Sequence, residues 1–501
     1  MKFHVSALAL ALGLPALVLA QTPINLPAVT GPLPVTEASY PLMAAKRMQE
    51  VVDLAAAGYV EEEYILAGNA NLYERAADGS IAVKTADAPY GTRILVRRPA
   101  DAADFSGNVI VELLIEARSY DWAFVWAMSY EQIMQRGDVF VGVTHMPQNI
   151  DALKTFDPQR YAALSFANPN PAETCGPQNS TSPMEEGLHW DMLSQLGALL
   201  KSGAATTPLH GLDVEYVYMA GHHGHAATYA NTFHNSTTLA DGKPVYDAYL
   251  LPSSDVPTKL TRCGAALPAG DPRLIISKVN VPVIRIVPQG EVLGVLATRR
   301  EDSDAADDRF RLYEVPGAPR MDRIYFQHIP VVEDQIKAGQ PVTVGKWPYN
   351  YTCTPDINLL DYQAKRYVIN GALANLDNWV RTGTPPPRAE RIAVKNAGTP
   401  EAAFDTDEFG NAKGGVRHTY VEVPVATYSG NSPAPCGSIA MKTPFDWAQL
   451  QTLYGTPTAY AAKVEASLQN LVEARWVSTA DAARMREELL QVNPAPVGAG
   501  N

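Results

Sequence analysis

Residues 109–114 read VIVELL, residues 139–143 read VFVGV and residues 214–221 read VEYVYMAG. Each run is short, continuous and apolar, which is typical of a strand buried on both faces of a sheet. Between the first two runs, apolar residues from Trp122 to Met134 recur at helical spacing. Strands that alternate with helices predict a mostly parallel central sheet flanked by helices, and so an α/β fold.

The same alternation continues along the chain. A helical pattern through Tyr229 and Phe233 follows the third run, and further strands are predicted at 246–251, 281–287 and 310–315. We therefore expect residues 106–330 to form the α/β core. Within it, residues 145–190 are expected to form a lid loop, because most of this stretch is rich in Asn, Pro, Ser and Thr.

Two flanking regions surround this core. Residues 21–105 are predicted to extend it at the N-terminus, with a helix around residues 43–57 and short strands such as 93–97. Residues 331–501 are predicted to form a C-terminal cap or buttress. Its predicted helices lie at 360–381, 447–454 and 457–490. The acidic stretch 405–410 departs from the calcium-loop pattern after its glycine and is predicted to be a turn.

The charge balance excludes two classes of partner. The 501 residues include 40 Lys and Arg against 53 Asp and Glu, which gives a formal net charge of −13. No run of basic residues could follow a phosphate backbone, so nucleic acid is not expected, and neither is an anionic membrane surface. A small-molecule substrate is the expected partner, while the sequence leaves the oligomeric state open.

The first twenty residues have the pattern of a secretory signal peptide. Lys2 precedes an apolar stretch from Val5 to Val18, and a small residue, Ala20, precedes the polar segment that begins at Gln21. A membrane anchor is disfavoured because Gly13 and Pro15 interrupt the stretch. We therefore predict that residues 1–20 are removed and that the protein is secreted or periplasmic, with no membrane segment afterwards.

Export predicts disulfide bonds and, in a eukaryotic host, glycans. The predicted mature chain has four cysteines, for which three pairings are possible: Cys175, Cys263, Cys353 and Cys436. None lies in a CxxC motif, so the cysteines do not indicate zinc or redox chemistry. Three Asn-x-Ser/Thr sequons are candidate glycosylation sites: Asn179, Asn235 and Asn350.

Four segments carry a resemblance to a known family: residues 108–144, 156–161 (FDPQRY), 302–315 and 410–417 (GNAKGGVR). Over nearly the whole mature chain, the sequence resembles a family of secreted proteins called the "alpha/beta hydrolase domain" family, which is similar to distant esterases. The resemblance implies the alpha/beta-hydrolase fold and a site built on a Ser–acid–His triad.

The position that the resemblance gives to the nucleophile is His223. In this fold the nucleophile stands on a tight turn between a strand and a helix, flanked by small residues. Here the turn is Gly221-His222-His223-Gly224-His225-Ala226, whereas the family has a pattern such as Gly-Tyr-Ser-Gln. The turn contains no hydroxyl group. The backbone N–H groups of Gly224 and His225 are the implied oxyanion donors.

The other two triad positions follow the later strands. Glu291 is the matching acid, with Asp302 and Asp304 as rivals. The family motif for the base resembles Gly-Ala-x-His-x-Asp, and this chain has Arg320 in place of the histidine. Because the serine and its base depend on each other, either change alone would disable acyl-enzyme chemistry.

Two further features bear on the site. The loop after the first core strand, residues 114–121, keeps Tyr120 and Asp121 but lacks the Asn-Pro of the family, and Ile115 becomes its implied oxyanion and pocket residue. A different serine, Ser432, lies in a Gly-x-Ser-x-small string. Because prolines follow Ser432, no helix can begin there, and we interpret the segment as an ordinary loop.

These replacements predict a changed chemistry. A neutral His223 at a helix N-terminus, a permanent cation at Arg320 and an oxyanion hole would suit lyase, isomerase or cyclase chemistry on a small carbonyl compound, such as one in specialised metabolism. An esterase or lactonase, a binding protein and an inactive relic are the alternatives. No cofactor is expected, and no metal either, because only His222 and His225 share a helix face and no third ligand is evident.

Overall fold

The computed structural model describes residues 24–76, 79–116, 120–176, 178–252, 259–342, 364–434 and 436–491, without the side chains of residues 325 and 326. The predicted signal peptide, Cys353 and Asn350 lie outside the described residues. Among the residues described, no helix has both the length and the apolar character needed to span a membrane.

The described strands of the core form one ten-stranded sheet in the order β1-β2-β3-β5-β4-β6-β7-β8-β10-β9. Neighbouring strands from β5 to β10 are parallel, whereas β1 to β3 and β9 join antiparallel at the two sides. The bounds are β1 Ala28–Thr30, β2 Tyr59–Arg75, β3 Ile81–Pro99, β4 Asn108–Leu113, β5 Val139–Val143, β6 Tyr216–Gly221, β7 Ala248–Pro252, β8 Val283–Pro288, β9 Ser303–Ala305 and β10 Asp308–Val315. The predicted α/β fold with a mostly parallel sheet is confirmed.

Helices cover the sheet. The α-helices are α1 Phe124–Arg136, α2 Pro147–Phe156, α3 His189–Lys201, α4 Gly224–Thr232, α5 Gln289–Val292, α6 Arg323–Gln327, α7 Val332–Lys337, α8 Ala364–Thr382, α9 Thr419–Glu422, α10 Trp447–Tyr454, α11 Pro457–Glu473 and α12 Thr479–Leu490. Short 3-10 helices span Ala45–Arg47, Ala102–Asp104, Glu186–Leu188, Pro272–Leu274 and Leu293–Thr298. Two small hairpins pair β11 Val394–Lys395 with β12 Ala403–Phe404, and β13 Ala426–Ser429 with β14 Met441–Pro444.

The N-terminal region differs from its prediction. A helix around 43–57 is wrong: only Ala45–Arg47 is helical there, and Met43 has a φ of 71°, which no right-handed helix can contain. The predicted short strand at 93–97 is the end of the long strand β3, which pairs with β2. Residues 21–105 therefore extend the sheet itself rather than pack a helix against it.

The predicted lid loop begins later than expected. Residues 147–156 are the helix α2, which starts at Pro147 and buries Ile150, Leu153 and Phe156. The remaining loop is attached to the rest of the protein at two positions. A disulfide joins Cys175 to Cys263, and the backbone of Ser165 pairs with that of Gly91. Cys436 is also disulfide-bonded. The sequon residues Asn179 and Asn235 are exposed, and their glycosylation stays a prediction.

The buried histidines outside the candidate site include His328, beside Tyr130, and His418, beside Tyr420. Burial lowers the pKa of His328 to about 3, helped by Arg97 and Arg366, and burial lowers the pKa of His418 to about 4. As the pH falls, these two side chains therefore bind a proton at a higher pH in the unfolded chain than in the folded protein. The stability that they contribute is fully present above pH 6.5 and is lost as the pH falls from 6.5 towards their pKa values in the folded protein.

We expect the free energy of unfolding to fall from pH 6.5 towards pH 4, by about 1.4 kcal/mol per pH unit for each such histidine. Urea titrations at several pH values should give a shallower slope for His328→Phe than for the native chain. The exposed His210, changed to Phe in the same way, serves as the control. Equal slopes in His328→Phe and the native chain would contradict this account of His328.

Candidate functional site

The strand order brings the ends of β5, β4 and β6 side by side. Parallel strands end at the same edge of a sheet, so the residues that follow these three strands must meet there. Glu116 follows β4, His145 follows β5, and His223 follows β6. The candidate site is therefore a property of topology, since these residues are distant in the sequence.

The turn between β6 and α4 has the shape that the sequence predicted. A Cβ atom on Gly221 would lie 2.9 Å from the Cβ of Ala226, so the turn requires a glycine at this position. His223 caps α4 with φ −94° and ψ 173°, an ordinary extended conformation. Its side chain is 18% exposed, so it faces solvent from the mouth of the site.

Glu116 lies against His223. The Nδ1 atom of His223 is 3.1 Å from Oε1 of Glu116. Burial raises the pKa of Glu116, but the hydrogen bond from His223 and the nearby imidazoles of His225 and His145 outweigh it and lower that pKa to about 2. Glu116 is therefore a carboxylate near neutral pH and can only accept hydrogen bonds.

Three further imidazoles line the buried side of Glu116. The ring of His145 lies 4.9 Å from that of His225 and 5.5 Å from that of His189, and the rings of His189 and His225 are 5.1 Å apart. All three side chains are buried. Burial lowers the pKa of His145 to about 4 and that of His225 to about 3, and it lowers the pKa of His189 well below its usual value.

Several polar atoms of this group have no hydrogen-bond partner among the described residues. They are Oε2 of Glu116, Nε2 of His189 and Nδ1 of His225. A buried polar atom without a partner costs about 1–3 kcal/mol. Native proteins keep such groups rarely, so this concentration of them points to a function.

Glu116, His145 and His225 bring three possible ligand atoms together at this edge. Their donor atoms all lie within 4.8 Å of one another. The two histidines predicted to share a helix face have different surroundings. The ring of His222 lies 4.2 Å from that of Phe124 and 5.0 Å from that of His223, whereas the ring of His225 contacts that of His145.

Glu291 and Arg320 form a second group on this edge. Nη1 of Arg320 lies 3.2 Å from Oε1 of Glu291, so the positions of the triad acid and base are held by an ion pair. The two loops are also joined by the backbone, since Gly290 N donates to the carbonyl of Ala318. The buried Lys365 donates to the carbonyl of Arg320.

His222 responds to charges of the second group. Burial lowers the pKa of His222 well below its usual value, and the positive charges of Lys365 and Arg320 act in the same direction. Asp302 and Asp304, the rival acids, pair instead with arginines of the C-terminal region: Arg391 for Asp302, and Arg388 for Asp304. Glu291 is therefore the acid that faces Arg320.

The expected oxyanion donors differ in whether their N–H groups are available to an anion. No side chain caps the N-terminus of α4 within the described ranges, which leaves the N–H groups of Gly224 and His225 suited to an anion. Ile115 cannot serve, because its N–H donates to the carbonyl of Trp122 at 2.8 Å. Tyr120 is buried beside this loop.

Ser432 is buried and donates its hydroxyl to the carbonyl of Ile439 at 2.7 Å, as expected for an ordinary loop residue.

Sequence reasoning missed Glu116, His145 and His189. One signal was present for each of the first two, because each follows directly after a predicted buried strand. His189 begins the helix α3 and gave no comparable signal.

Comparisons with known proteins agree with this architecture. The family model described as "Alpha/beta hydrolase domain" matches residues 29–487. None of the curated proteins is a significant match. Among solved structures, a fungal esterase from Rhizomucor miehei is 13% identical, with 66% of this chain and 88% of that chain covered and a TM-score of 0.31.

Two other solved structures are similar at the same level. Esterase 2 of Thermogutta terrifontis is 11% identical, with 48% of this chain and 82% of that chain covered and a TM-score of 0.27. The esterase Est22 is 13% identical, with 57% and 80% covered and a TM-score of 0.31. Likenesses at this level assign no activity or substrate.

Proposed function

The chain belongs to the alpha/beta hydrolase domain family, and we propose that it is an exported enzyme of this fold that performs acid/base chemistry on a small carbonyl compound. The reaction class is that of a lyase, isomerase or cyclase, in which a proton is removed from the carbon next to a carbonyl group. Export is supported by the leader pattern of residues 1–20 and by the Cys175–Cys263 disulfide.

The observation that carries this proposal is the contact between His223 and Glu116. A carboxylate can only accept, so Nδ1 of His223 holds the proton of this hydrogen bond, and in the neutral imidazole Nε2 then has the lone pair. A histidine oriented in this way is a general base. In the proposed reaction, Nε2 takes the proton from carbon, and the electron pair of the broken C–H bond moves into an enolate.

The enolate oxygen needs positive partners. The N-terminus of α4 begins at the residue after His223 and presents backbone N–H groups to a developing oxyanion. Arg320, held by Glu291, is 35% exposed and can bind a carboxylate or an enolate of the substrate. These groups favour a small oxo acid as the substrate.

The same residues disfavour an acyl-serine mechanism. Residues 221–226 contain no hydroxyl group, and the position of the triad histidine is taken by Arg320. An arginine stays protonated at every relevant pH and cannot act as a general base. Hydrolysis of an ester or lactone would therefore need His223 or a bound water as the nucleophile.

Proton exchange tests this proposal without knowledge of the product. The mature protein should exchange α-protons of a panel of 2-oxo acids, 3-oxo acids and small ketones in D₂O, followed by NMR. We expect His223→Ala to lower the exchange rate roughly 10³-fold, as for loss of a general base. The exposed His210, changed to Ala, should leave the rate unchanged.

A parallel assay of short-chain nitrophenyl esters and simple lactones separates the alternatives. Hydrolysis that disappears in His223→Ala, without exchange on any carbonyl compound, would replace the proposal by a histidine-dependent hydrolase. A ligand that raises Tm without exchange or hydrolysis would indicate a binding protein instead. Either result overturns the proposed reaction class.

A further inference from the structure

Glu116, His145 and His225 form a group of possible ligand atoms next to His223, which contacts Glu116. The carboxylate and the two imidazoles place their donor atoms within 4.8 Å of one another. A third imidazole, His189, lies outside that group but contacts both His145 and His225 through its ring. Oε2 of Glu116, Nδ1 of His225 and Nε2 of His189 have no hydrogen-bond partner among the described residues. Together these features fit a binding site for a cation.

We propose that Glu116, His145 and His225 bind one divalent first-row transition metal ion, with Zn²⁺ the best fit and His189 as the nearest further nitrogen ligand. Imidazole nitrogen with one carboxylate oxygen is a donor set typical of zinc and of related ions. Tetrahedral zinc keeps its N and O donors about 3.4 Å apart, so the donors observed within 4.8 Å need to close by at most about 1.4 Å.

Hydrogen bonds to neighbouring residues determine which atoms of Glu116 and His189 are available to a metal ion. Nδ1 of His189 contacts the carbonyl of Glu186, which places the proton on Nδ1 and leaves the lone pair of Nε2 for a metal. Glu116 uses Oε1 for His223, while its buried Oε2 has no hydrogen-bond partner among the described residues. A ligand whose second atom is fixed by another residue is the usual arrangement around bound metals.

The alternative is a water-filled polar pocket. Oε2 of Glu116, Nε2 of His189 and Nδ1 of His225 would then need ordered water, and the imidazole rings lie 4.9 to 5.5 Å apart, centre to centre. One cation can instead bind a carboxylate oxygen and two imidazole nitrogens that already lie within 4.8 Å of one another. A metal ion therefore accounts for the group better than water does.

The inference concerns the same edge of the sheet as the proposed function but does not depend on it, since metal binding can be measured without substrate. A metal ion bound there would be a Lewis acid next to His223, able to polarise a carbonyl group. His223 itself stays outside the ligand set and acts on it through Glu116.

Metal analysis of the full mature chain is the test. The protein is stripped with a chelator, loaded with Zn²⁺ alone, desalted and analysed by mass spectrometry. We expect about one zinc per chain. Loading with Co²⁺ should give the intense visible absorption bands of a tetrahedral site.

Variants locate the site. His145→Gln and His225→Gln keep a polar side chain of similar size and should weaken zinc binding at least about 100-fold, whereas His210→Ala should bind as the native chain does. His223→Ala should retain the zinc with at most about a 100-fold loss in affinity, as for removal of an outer-shell partner. Circular dichroism and Tm of the zinc-free proteins show whether each variant is folded.

The outcomes distinguish the two proposals. Zinc bound by the native chain and by His223→Ala, but not by His145→Gln or His225→Gln, supports the metal site whether or not any carbonyl compound is turned over. No zinc in the native chain, or equal zinc in all folded variants, overturns it. Loss of α-proton exchange in His223→Ala then stands as separate support for the proposed function.

Discussion

Replacing Arg93 with methionine is expected to lower the free energy of unfolding by about 3–5 kcal/mol. Arg93 is fully buried in β3 between two fully buried carboxylates, at 3.0 Å from Glu63 and 2.9 Å from Asp121. Methionine fills a similar volume but removes the cation. Glu63 keeps its ion pair with Arg160, whereas Asp121 loses the only cation that pairs with it among the described residues, and an uncompensated buried charge is among the most destabilising changes known in proteins.

Urea denaturation of the native chain and of Arg93→Met measures this loss. The matched control is Arg273→Met, which breaks a pair with Asp271 on the surface, where the arginine side chain is 44% exposed. Such a pair contributes about 0–1 kcal/mol. A similar small loss for Arg93→Met would contradict the account, because it would mean that Glu63 and Asp121 find other partners or water.

A combined variant separates lost charge from lost packing. If the charge left on Asp121 causes the instability, Arg93→Met together with Asp121→Asn should recover most of the stability lost in Arg93→Met alone. The network also reaches the candidate site, since Asp121 accepts from Asn149 at 2.6 Å and from Thr144, the residue before His145. Arg93→Met should therefore loosen the site as well as the sheet.

The core of the fold was predictable from local pattern. The strands β4, β5 and β6 and the helix α1 lie within a few residues of their predicted positions, because a buried strand and an amphipathic helix each leave a periodic apolar signal. Within the long hairpin of β2 and β3, the strand signal used for prediction came from residues 93–97 alone. The hairpin carries many polar and charged residues, whose ion pairs, such as Arg93 with Glu63, form only across strands.

Helix ends were predicted less well where tertiary contacts decide them. The single helix predicted at 457–490 is two helices, α11 and α12, and Arg475 between them has a φ of 63°. The left-handed conformation of one residue ends a helix, and an arginine gives no sequence signal for it. Composition predicted helix here but could not locate the break.

The candidate site was predicted only in part for a topological reason. Gly221, His223, Glu291 and Arg320 were found because each lies just after a predicted strand at a position that the family resemblance marks. Glu116 and His145 have meaning only together with His225, and only the order β5-β4-β6 brings them together. Strand order is a property of the folded sheet that no local pattern carries.

Glu116→Gln is expected to lower the α-proton exchange rate by about 10⁴-fold, the size of loss seen when the carboxylate that orients a catalytic histidine is replaced by its amide. Glutamine has nearly the same shape but can donate a hydrogen bond. Its NH₂ group can donate to Nδ1 of His223, which moves the proton of the ring to Nε2 and removes the lone pair that takes the substrate proton. The change also removes one proposed metal ligand.

Exchange assays on Glu116→Gln, His223→Ala and the double variant test this argument, with the exposed Glu37 changed to Gln as the matched control. Glu116 contacts His223 and also lies beside the buried imidazoles. Its replacement should therefore lower the exchange rate more than loss of His223 alone, and the double variant should exchange no more slowly than Glu116→Gln. Glutamine has nearly the same shape as glutamate, so the metal-free variant should stay folded, and its Tm checks this. A native exchange rate in folded Glu116→Gln would show that His223 needs no carboxylate to act, and the contact that carries the proposed function would lose its role.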